Sequence, residues 1–522
     1  MESGIAIEES RAAPSRPNKW VALTVVCLVV FVICINTTAI NTAVATMADD
    51  LSLSTSTLGW ALDVYMLTAA ALVVLGGQIG DILGRKPVTL LGIGIFAVGS
   101  VVVATSFSGA QLIGGRALQG AGGAVLMPAT MAVINDTFSR EESGTALGVW
   151  GAISMLAFAF GPLYGGVLTE ALSWRVIFWT DVALLLIAAA LLLATLRGLP
   201  GGRRGIAVDM VGAILLGSGS FLVVLALQQG QGWGWASKMF LVTLCTGLLS
   251  LVAFVVVELH RRNPLLNLAL FRRRRFVAGC LVTFANTVGL IGLLYFFNLY
   301  AQSSVLFDLS PLHASLVLLP YTVSMFLFAY PSGRIADRIG YRVPVVVGLL
   351  MMTAGFVMLS LVRVGTTEAG LYLPIVLGGL GVGLTYSTSS AAGMSAVPAG
   401  ESGQGAGVIN MARFLGAVFV IAAGTILYVG QGVATLDEHL DRARAGEVEK
   451  TKLDRVLSGS PSALESAAKE LEPSTRDAFV AGARQGIAGG FSDVMWLIAA
   501  VGAAGAMLSF WMLRPDQKRT RR

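Results

Sequence analysis

Four charged residues lie deep inside long apolar runs: Asp63, Arg116, Asp181 and Arg413. Asp81, Glu170 and Glu258 stand nearer the ends of such runs. Charge inside a bilayer is costly, so each is a candidate for moving protons or other ions. The protonation of a carboxyl there is set by desolvation working against any neighbouring arginine. That balance would let Asp63 load and release a proton, with Arg116 as its tuner and Asn36 as a hydrogen-bonding neighbour. The competing reading is a fixed pair, Asp63 with Arg116 or with Asn36, that never titrates. Asp181 is read as a second acid or as a wetted residue near the outer surface. Arg413 needs a partner, which would be a carbonyl, an amide or an anionic group on a substrate. There is no Walker motif, no metal-ligand spacing and no nucleophile constellation, and His260, His313 and His439 are scattered. The expectation is a protein that is not an enzyme, holds no metal or cofactor, and draws on a proton gradient.

The elements that must hold these residues are membrane helices. Of 522 residues, 55% are hydrophobic and only 13% charged, with 62 glycines. A soluble chain carries about 25% charge. This excludes a disordered chain, a disulfide scaffold and a soluble enzyme on a single anchor. The four cysteines, Cys27, Cys34, Cys245 and Cys280, sit in apolar runs without paired spacing and read as small hydrophobic filler. The formal charge of +6 does not mean nucleic acid, because the basic residues cluster between apolar runs. Arg85-Lys86, Arg203-Arg204, Arg261-Arg262, Arg272 to Arg275, Arg334, Arg338, Arg342 and Lys518 to Arg522 form that pattern. It fits cytoplasmic loops under the positive-inside rule.

A spanning helix needs about 20 apolar residues. The runs give fourteen spans: 20–44, 57–80, 87–107, 110–135, 145–168, 174–197, 209–227, 237–259, 276–301, 312–332, 342–364, 370–394, 403–428 and 486–513. An even count puts both termini on one side, and their Lys and Arg make that side the cytoplasm. The opposite connections are poor in positive charge, with Asp49-Asp50 after span 1, Glu170 and Arg175 after span 5, and Asp308 after span 9. Residues 1–19 form a polar cytoplasmic tail without a signal-peptide layout, and 514–522 a basic one. Residues 429–485 are polar, contain helix-forming stretches such as Ser462 to Leu471, and by the count make an extracellular loop.

A loop occurs twice. Gly77-Gln-Ile-Gly-Asp81-Ile-Leu-Gly84-Arg85-Lys86 follows span 2, and Gly333-Arg-Ile-Ala-Asp337-Arg338-Ile-Gly340-Tyr-Arg342 follows span 10. Both read Gly-x-x-x-Asp-x-x-Gly-x-[Arg/Lys]. The repeat divides the chain into a six-helix bundle over 20–197, two inserted helices over 209–259, and a second six-helix bundle over 276–513. Halves duplicated about an axis along the membrane normal are a transporter architecture. In each loop the glycines allow a tight turn. The aspartate can pair with arginine or accept from a helix N-terminus. Gly77, Asp81, Gly84, Arg85, Asp337 and Arg338 are therefore expected to form a cytoplasmic latch that holds one conformation and breaks in the other.

With these loops the sequence resembles the major facilitator superfamily, and within it the fourteen-helix drug:proton antiporters that include quaternary-ammonium multidrug pumps. Arg116-Ala-Leu-Gln119-Gly120-Ala-Gly122 is similar to that family's arginine motif, implicated in proton transfer. Gly151 followed by Gly161-Pro162-Leu-Tyr-Gly165-Gly166 resembles its antiporter motif. Asn263-Pro-Leu-Leu-Asn-Leu-Ala-Leu-Phe-Arg272 and Ser173-Trp174-Arg175 fit as well. The chain departs from the pattern in span 1, where the family's acid is an amide in Asn36-Thr-Thr38-Ala-Ile-Asn41. It departs again in span 2, where Trp60-Ala-Leu-Asp63-Val-Tyr65 carries an acid like that of the quaternary-ammonium pumps, and in span 13, where Asn410 to Arg413 offers none.

Helical rise gives heights. Asp63 precedes Asp81 by 18 residues, roughly 27 Å at about 1.5 Å each, and so lies in the outer half. Asn36, Arg116 and Asp181 fall at comparable heights, as a proton site on an outward cavity requires. Arg413 lies about 15 Å into span 13. Gly161 and Gly165 share a helix face, and Pro162 removes a donor and bends the helix. Together they are expected to make a close contact between the bundles that seals one side of the cavity against leak. Tyr65, Tyr295, Asn298, Tyr300, Tyr321, Met325, Tyr386, Asn410 and Arg413 are the candidate substrate cavity. An apolar aromatic pocket with few polar groups suits an amphipathic, cationic or neutral compound, and ordinary packing explains the same residues.

The resulting expectation is an all-α polytopic protein of the bacterial plasma membrane. It would act as a monomeric, proton-coupled multidrug efflux antiporter by alternating access. The alternative is an exporter of one endogenous metabolite or self-made antibiotic. A receptor or channel has no need of two latch loops.

Overall fold

The computed structural model describes residues 18–514, apart from 54, 140, 196–208, 262–263, 304–305, 308, 310, 399 and 443–472. The N-terminal tail before Asn18, Arg203-Arg204, Arg262, Asn263, Asp308, the stretch Ser462 to Leu471 and Lys518 to Arg522 lie outside the described residues.

Among the described residues, fourteen helices are long and apolar enough to cross a membrane. They are α1 (Lys19–Asp50), α2 (Thr55–Leu83), α3 (Arg85–Ala104), α4 (Gly109–Thr137), α5 (Ser143–Ala171), α6 (Trp174–Thr195) and α7 (Met210–Trp233). Then come α8 (Lys238–His260), α9 (Arg274–Ala301), α10 (Pro311–Ile339), α11 (Arg342–Ser360), α12 (Glu368–Met394), α13 (Ser402–Arg442) and α14 (Pro473–Met512), with a short 3-10 turn at Leu268–Arg272. Local chemistry sets several starts. The side chains of Asn18, Ser108, Asp209 and Ser237 accept from amides in the first turns of α1, α4, α7 and α8. Gly84 and Gly340, the second shared glycines of the two repeated motifs, adopt φ 92° and 85°, a region that L side chains avoid.

Several helices run past their apolar windows, because backbone hydrogen bonding continues beyond the hydrocarbon. Asp49 and Asp50 belong to the end of α1, Glu170 to α5 and Arg175 to α6, not to connections. The polar stretch 429–485 is likewise not a loop throughout. Its first part, to Arg442, continues α13, and its last part, from Pro473, opens α14. Where α1 ends, Trp174 Nε1 donates to Asp50 at 3.0 Å and Arg175 pairs with the same carboxylate. Those donors hold the Asp50 carboxyl below its ordinary range.

Helices α1–α6 pack as one bundle and α9–α14 as another. The bundles meet along two seams, α2 with α13 and α5 with α10. The inserted pair sits outside this body: α7 lies against α2 and α13, and α8 packs on α7.

Candidate functional site

In the first bundle a buried polar chain crosses from α6 to α4. Asn36 Nδ2 donates to Asp181 Oδ2 at 2.6 Å, and Arg116 donates to Asn36 Oδ1 at 2.8 Å. Arg116 also donates to Gln119 at 2.8 Å and approaches the Ala61 carbonyl at 3.4 Å. Gln119 in turn donates to Ser100 at 2.8 Å. The guanidinium lies 4.5 Å from the Tyr65 ring centroid. Asn36, Arg116 and Asp181 are all at most 2% exposed.

This corrects two expectations. Asp181 is buried against α1, not wetted near the outer surface, because α6 turns that face inward. Neither Arg116 nor Asn36 pairs with Asp63. Ala61 and Tyr65, one turn apart, face α4 and its arginine. Asp63 stands two residues on from Ala61, about 200° around the helix, and faces elsewhere. Its carboxylate is part-buried and accepts from Gln229 Nε2 of α7 at 3.3 Å. It also lies within electrostatic reach of the Tyr295 hydroxyl on α9. Tyr295 is 41% exposed.

In the second bundle Arg413 donates to Tyr386 Oη at 3.1 Å and Ser390 Oγ at 3.2 Å. Its guanidinium lies 4.4 Å from the Tyr386 ring and 5.5 Å from that of Trp150 in the first bundle. Trp150 and Tyr386 stack at 5.9 Å with an 18° interplanar angle. Asn410, one turn before Arg413, donates to the Ala406 carbonyl and touches Met131 of α4.

The remaining aromatic candidates do not converge on one open surface. Tyr300 stacks on Phe491, Tyr321 donates to the Gly289 carbonyl at 3.0 Å, and Met325 is fully buried. Tyr65 and Tyr386 serve as π faces for the two arginines. Asn298 bonds along its own helix, to Leu294 and from Gln302. Bulky aromatics at these heights fill the bundle interiors, where their area is best buried.

The repeated loops face one another's bundles. Asp81, at the end of α2, accepts from the Gly403 and Gln404 amides that open α13, at 2.8 and 2.9 Å. It also pairs with Arg85 at 2.7 Å, and Arg85 binds Asp136 at 2.6 Å. Asp136 accepts from Ser402 Oγ at 2.6 Å. Asp337, at the end of α10, accepts from the Gly144 and Thr145 amides that open α5, at 3.0 and 2.7 Å, and from Thr145 Oγ1 at 2.7 Å. Each aspartate thus satisfies orphan amides at the positive end of a helix in the other bundle. Gly77 and Gly333 let the backbones close, since a Cβ on either would strike the carbonyl of Gly403 or Gly144. Arg338 is exposed and outside this contact.

Gly161 and Gly165 do not join the bundles. A Cβ on them would strike Thr38 and Ala39 of α1, so they seat α5 on its own bundle, and Gly166 borders open space. Pro162 lies between them inside the unbroken α5. The small residues of α5 that face the second bundle are Gly144, Gly148 and Gly151, nearer its start.

Asp136, Gly403, Gln404, Gly144, Thr145, Trp150, Ser390 and Gln229 were not among the sequence candidates. The Asn135-Asp136 pair closing span 4 was the one available signal, a carboxylate at the height of the loop arginine.

A sequence profile of the Major Facilitator Superfamily matches residues 26–421. The multidrug efflux pump LfrA of Mycolicibacterium smegmatis is 33% identical over 425 residues, covering 80% of this chain and 83% of that protein. The puromycin resistance protein pur8 of Streptomyces alboniger is 30% identical over 445 residues, 84% of this chain and 87% of that one. The solved structure of the proton:xylose symporter XylE shares the fold at a TM-score of 0.58 and 14% identity, covering 95% of this chain and 96% of that one. Fourteen apolar helices, a duplicated loop that caps helices across the two halves, and this match over most of its length place the chain: it belongs to the Major Facilitator Superfamily, as a multi-pass transporter of the bacterial plasma membrane.

Proposed function

We propose that this transporter is a proton-coupled efflux antiporter for amphipathic drugs or toxic compounds. The efflux and resistance proteins it resembles support the direction and the class of cargo. The proton gradient is the energy source, and the two bundles of one chain rock about a central site. The loop-bearing ends face the cytoplasm together with both termini. The conformation, with both loops engaged, is then closed to the cytoplasm.

The observation that carries the coupling is the solitary state of Asp63. Among the described residues its one hydrogen bond is from a neutral amide, Gln229 at 3.3 Å, while Arg116 is engaged by Asn36 and Gln119. A carboxyl without a fixed cation, part-exposed in the outer half, can take a proton from outside and surrender it after the bundles rock. Asp181 is sealed by Asn36 and is the second acid of the same bundle. The test is efflux in everted vesicles. An uncoupler is expected to abolish it, and ATP depletion with the gradient maintained is expected not to. Asp63→Asn is expected to stop gradient-driven efflux while substrate exchange without a gradient persists. Wild-type pumping by Asp63→Asn would move the carrier to Asp181.

A further inference from the structure

We propose that Arg413, with the stacked Tyr386 and Trp150 rings, is a subsite for an anionic group carried by an amphipathic aromatic substrate. The proposal rests on the efflux reading for its use, but not for its test.

Arg413 stands 11 residues into α13, about 16 Å from the end that bears the loops. A guanidinium offers five N–H donors and, in a membrane, takes carboxylate or carbonyl partners. Among the described residues Arg413 has neither. Its partners are the neutral hydroxyls of Tyr386 and Ser390, and no ion pair reaches it among the described residues. Its Nε is shut from solvent and unpartnered. Arg116, the other deep arginine, is satisfied differently, by three oxygens and with Asp181 beyond Asn36. Arg413 is the deep cation with an outstanding demand.

The surroundings specify what would meet that demand. The Tyr386 and Trp150 rings form an offset stack with the guanidinium alongside. Both rings are at most 1% exposed and stacked on one another here, so a planar aromatic ligand finds their faces, and its acidic substituent the free N–H, when the seam parts. Ser387 Oγ, against Gly151 in the same seam, is another buried polar atom without a partner among the described residues. A cation would gain from the rings but meet the guanidinium at the same distance, so the charge preference is for anions. Trp150 belongs to the first bundle and Arg413 to the second, so opening the cytoplasmic end parts the rings and uncovers the guanidinium to a ligand from that side. Restacking the rings in the conformation closed to the cytoplasm expels the ligand, as an export step requires.

The test uses the purified pump in lipid nanodiscs without any gradient, with empty nanodiscs subtracted. The probes are 8-anilinonaphthalene-1-sulfonate and its parent N-phenyl-1-naphthylamine, which lacks the sulfonate. The wild type is expected to bind the sulfonate more tightly than the parent. Arg413→Gln is expected to lower the ratio of the two affinities at least tenfold, and Arg413→Lys to retain most of it. An unchanged ratio in Arg413→Gln, an equal fall in both affinities, or a wild type without preference for the sulfonate overturns the proposal. Should Arg413→Gln fail to fold, Ser390→Ala frees an N–H without removing charge and is expected to raise sulfonate affinity about threefold; no rise overturns it. Because binding is read at equilibrium, a chain that binds the sulfonate but pumps nothing would refute proton-driven efflux and leave the subsite standing.

Discussion

Asp81→Asn isolates the energy stored between the bundles. The carboxylate accepts two α13 amides at 2.8 and 2.9 Å, and both bonds cross from one bundle to the other. Its pair with Arg85 joins α2 to the start of α3 inside one bundle, so that pair travels with the bundle and cancels between conformations. Hydrogen bonds to a charged group contribute about 1.5–3 kcal/mol each, against about 0.5–1.5 for neutral ones. An Asn keeps a carbonyl for one amide and turns an NH2 toward the other. The expected loss is therefore about 3 kcal/mol, roughly a hundredfold in the closed-to-open ratio at 1.4 kcal/mol per tenfold. The bond from Ser402 to Asp136 remains, so the closed state is weakened and not abolished. Electron–electron resonance between labels at Leu83 and Ile339, both exposed at that end, reads the ratio directly. The four cysteines must first be replaced. Asp81→Asn is expected to move population to longer distances and to slow turnover at normal expression. Gly77→Ala, which drives a methyl into the Gly403 carbonyl, is expected to do the same without changing charge. Superimposable distance distributions for the wild type and both variants would refute the reasoning.

Asp337→Asn is expected to open the same end further than Asp81→Asn, because all three of its bonds cross between bundles; the same label pair ranks the two. Gly161→Leu overpacks α5 against Thr38 and is expected to cost about 1–3 kcal/mol, lowering the melting temperature while leaving the inter-bundle distances unchanged. Asn36→Leu strips Asp181 of its donor and Arg116 of an acceptor. Buried groups left unpaired cost about 1–3 kcal/mol each, so both melting temperature and gradient-driven efflux are expected to fall, whereas Asn36→Gln is expected to recover part of each.

The helices were legible because a spanning segment announces itself by composition, and the halves were legible because the Asp81 and Asp337 loops share a spacing. The heights of Asn36, Asp63, Arg116 and Asp181 were legible from helical rise. Their azimuths were not. Rise along a helix says nothing of which neighbour a side chain meets, and two residues separate the face of α2 that holds Arg116 from the face that carries Asp63. The same limit hid Gln229, since nothing in an apolar run shows where an inserted helix will lean. It also misplaced Gly161 and Gly165, whose small face fits any partner and was taken by α1. The loop aspartates had the opposite character. A carboxylate at a helix end seeks amides, and the nearest exposed amides at that height are those opening a helix of the other bundle.

The duplication copies this geometry but not its charge. Around Asp81 two carboxylates share Arg85, and Asp136 extends the contact to Ser402. The connection into the second bundle is fastened at the same point. Asn267 donates to Gln404 and Glu401, and Gln78 donates to the Pro264 carbonyl. In the second loop Tyr341 stands where Arg85 stands in the first, and Arg338 points outward. Asp337 is held by the amides and hydroxyl at the start of α5. One seam is thus braced by a buried charge network, the other by the amides and hydroxyl that open α5. The proposed rocking would break both caps, but the network around Arg85 lies mostly within the first bundle and would survive the motion. It keeps Asp81 aimed for re-closure, while Asp337 must find its amides afresh. On the proposed rocking motion the α2–α13 seam, on which the inserted α7 also leans, is expected to re-close first.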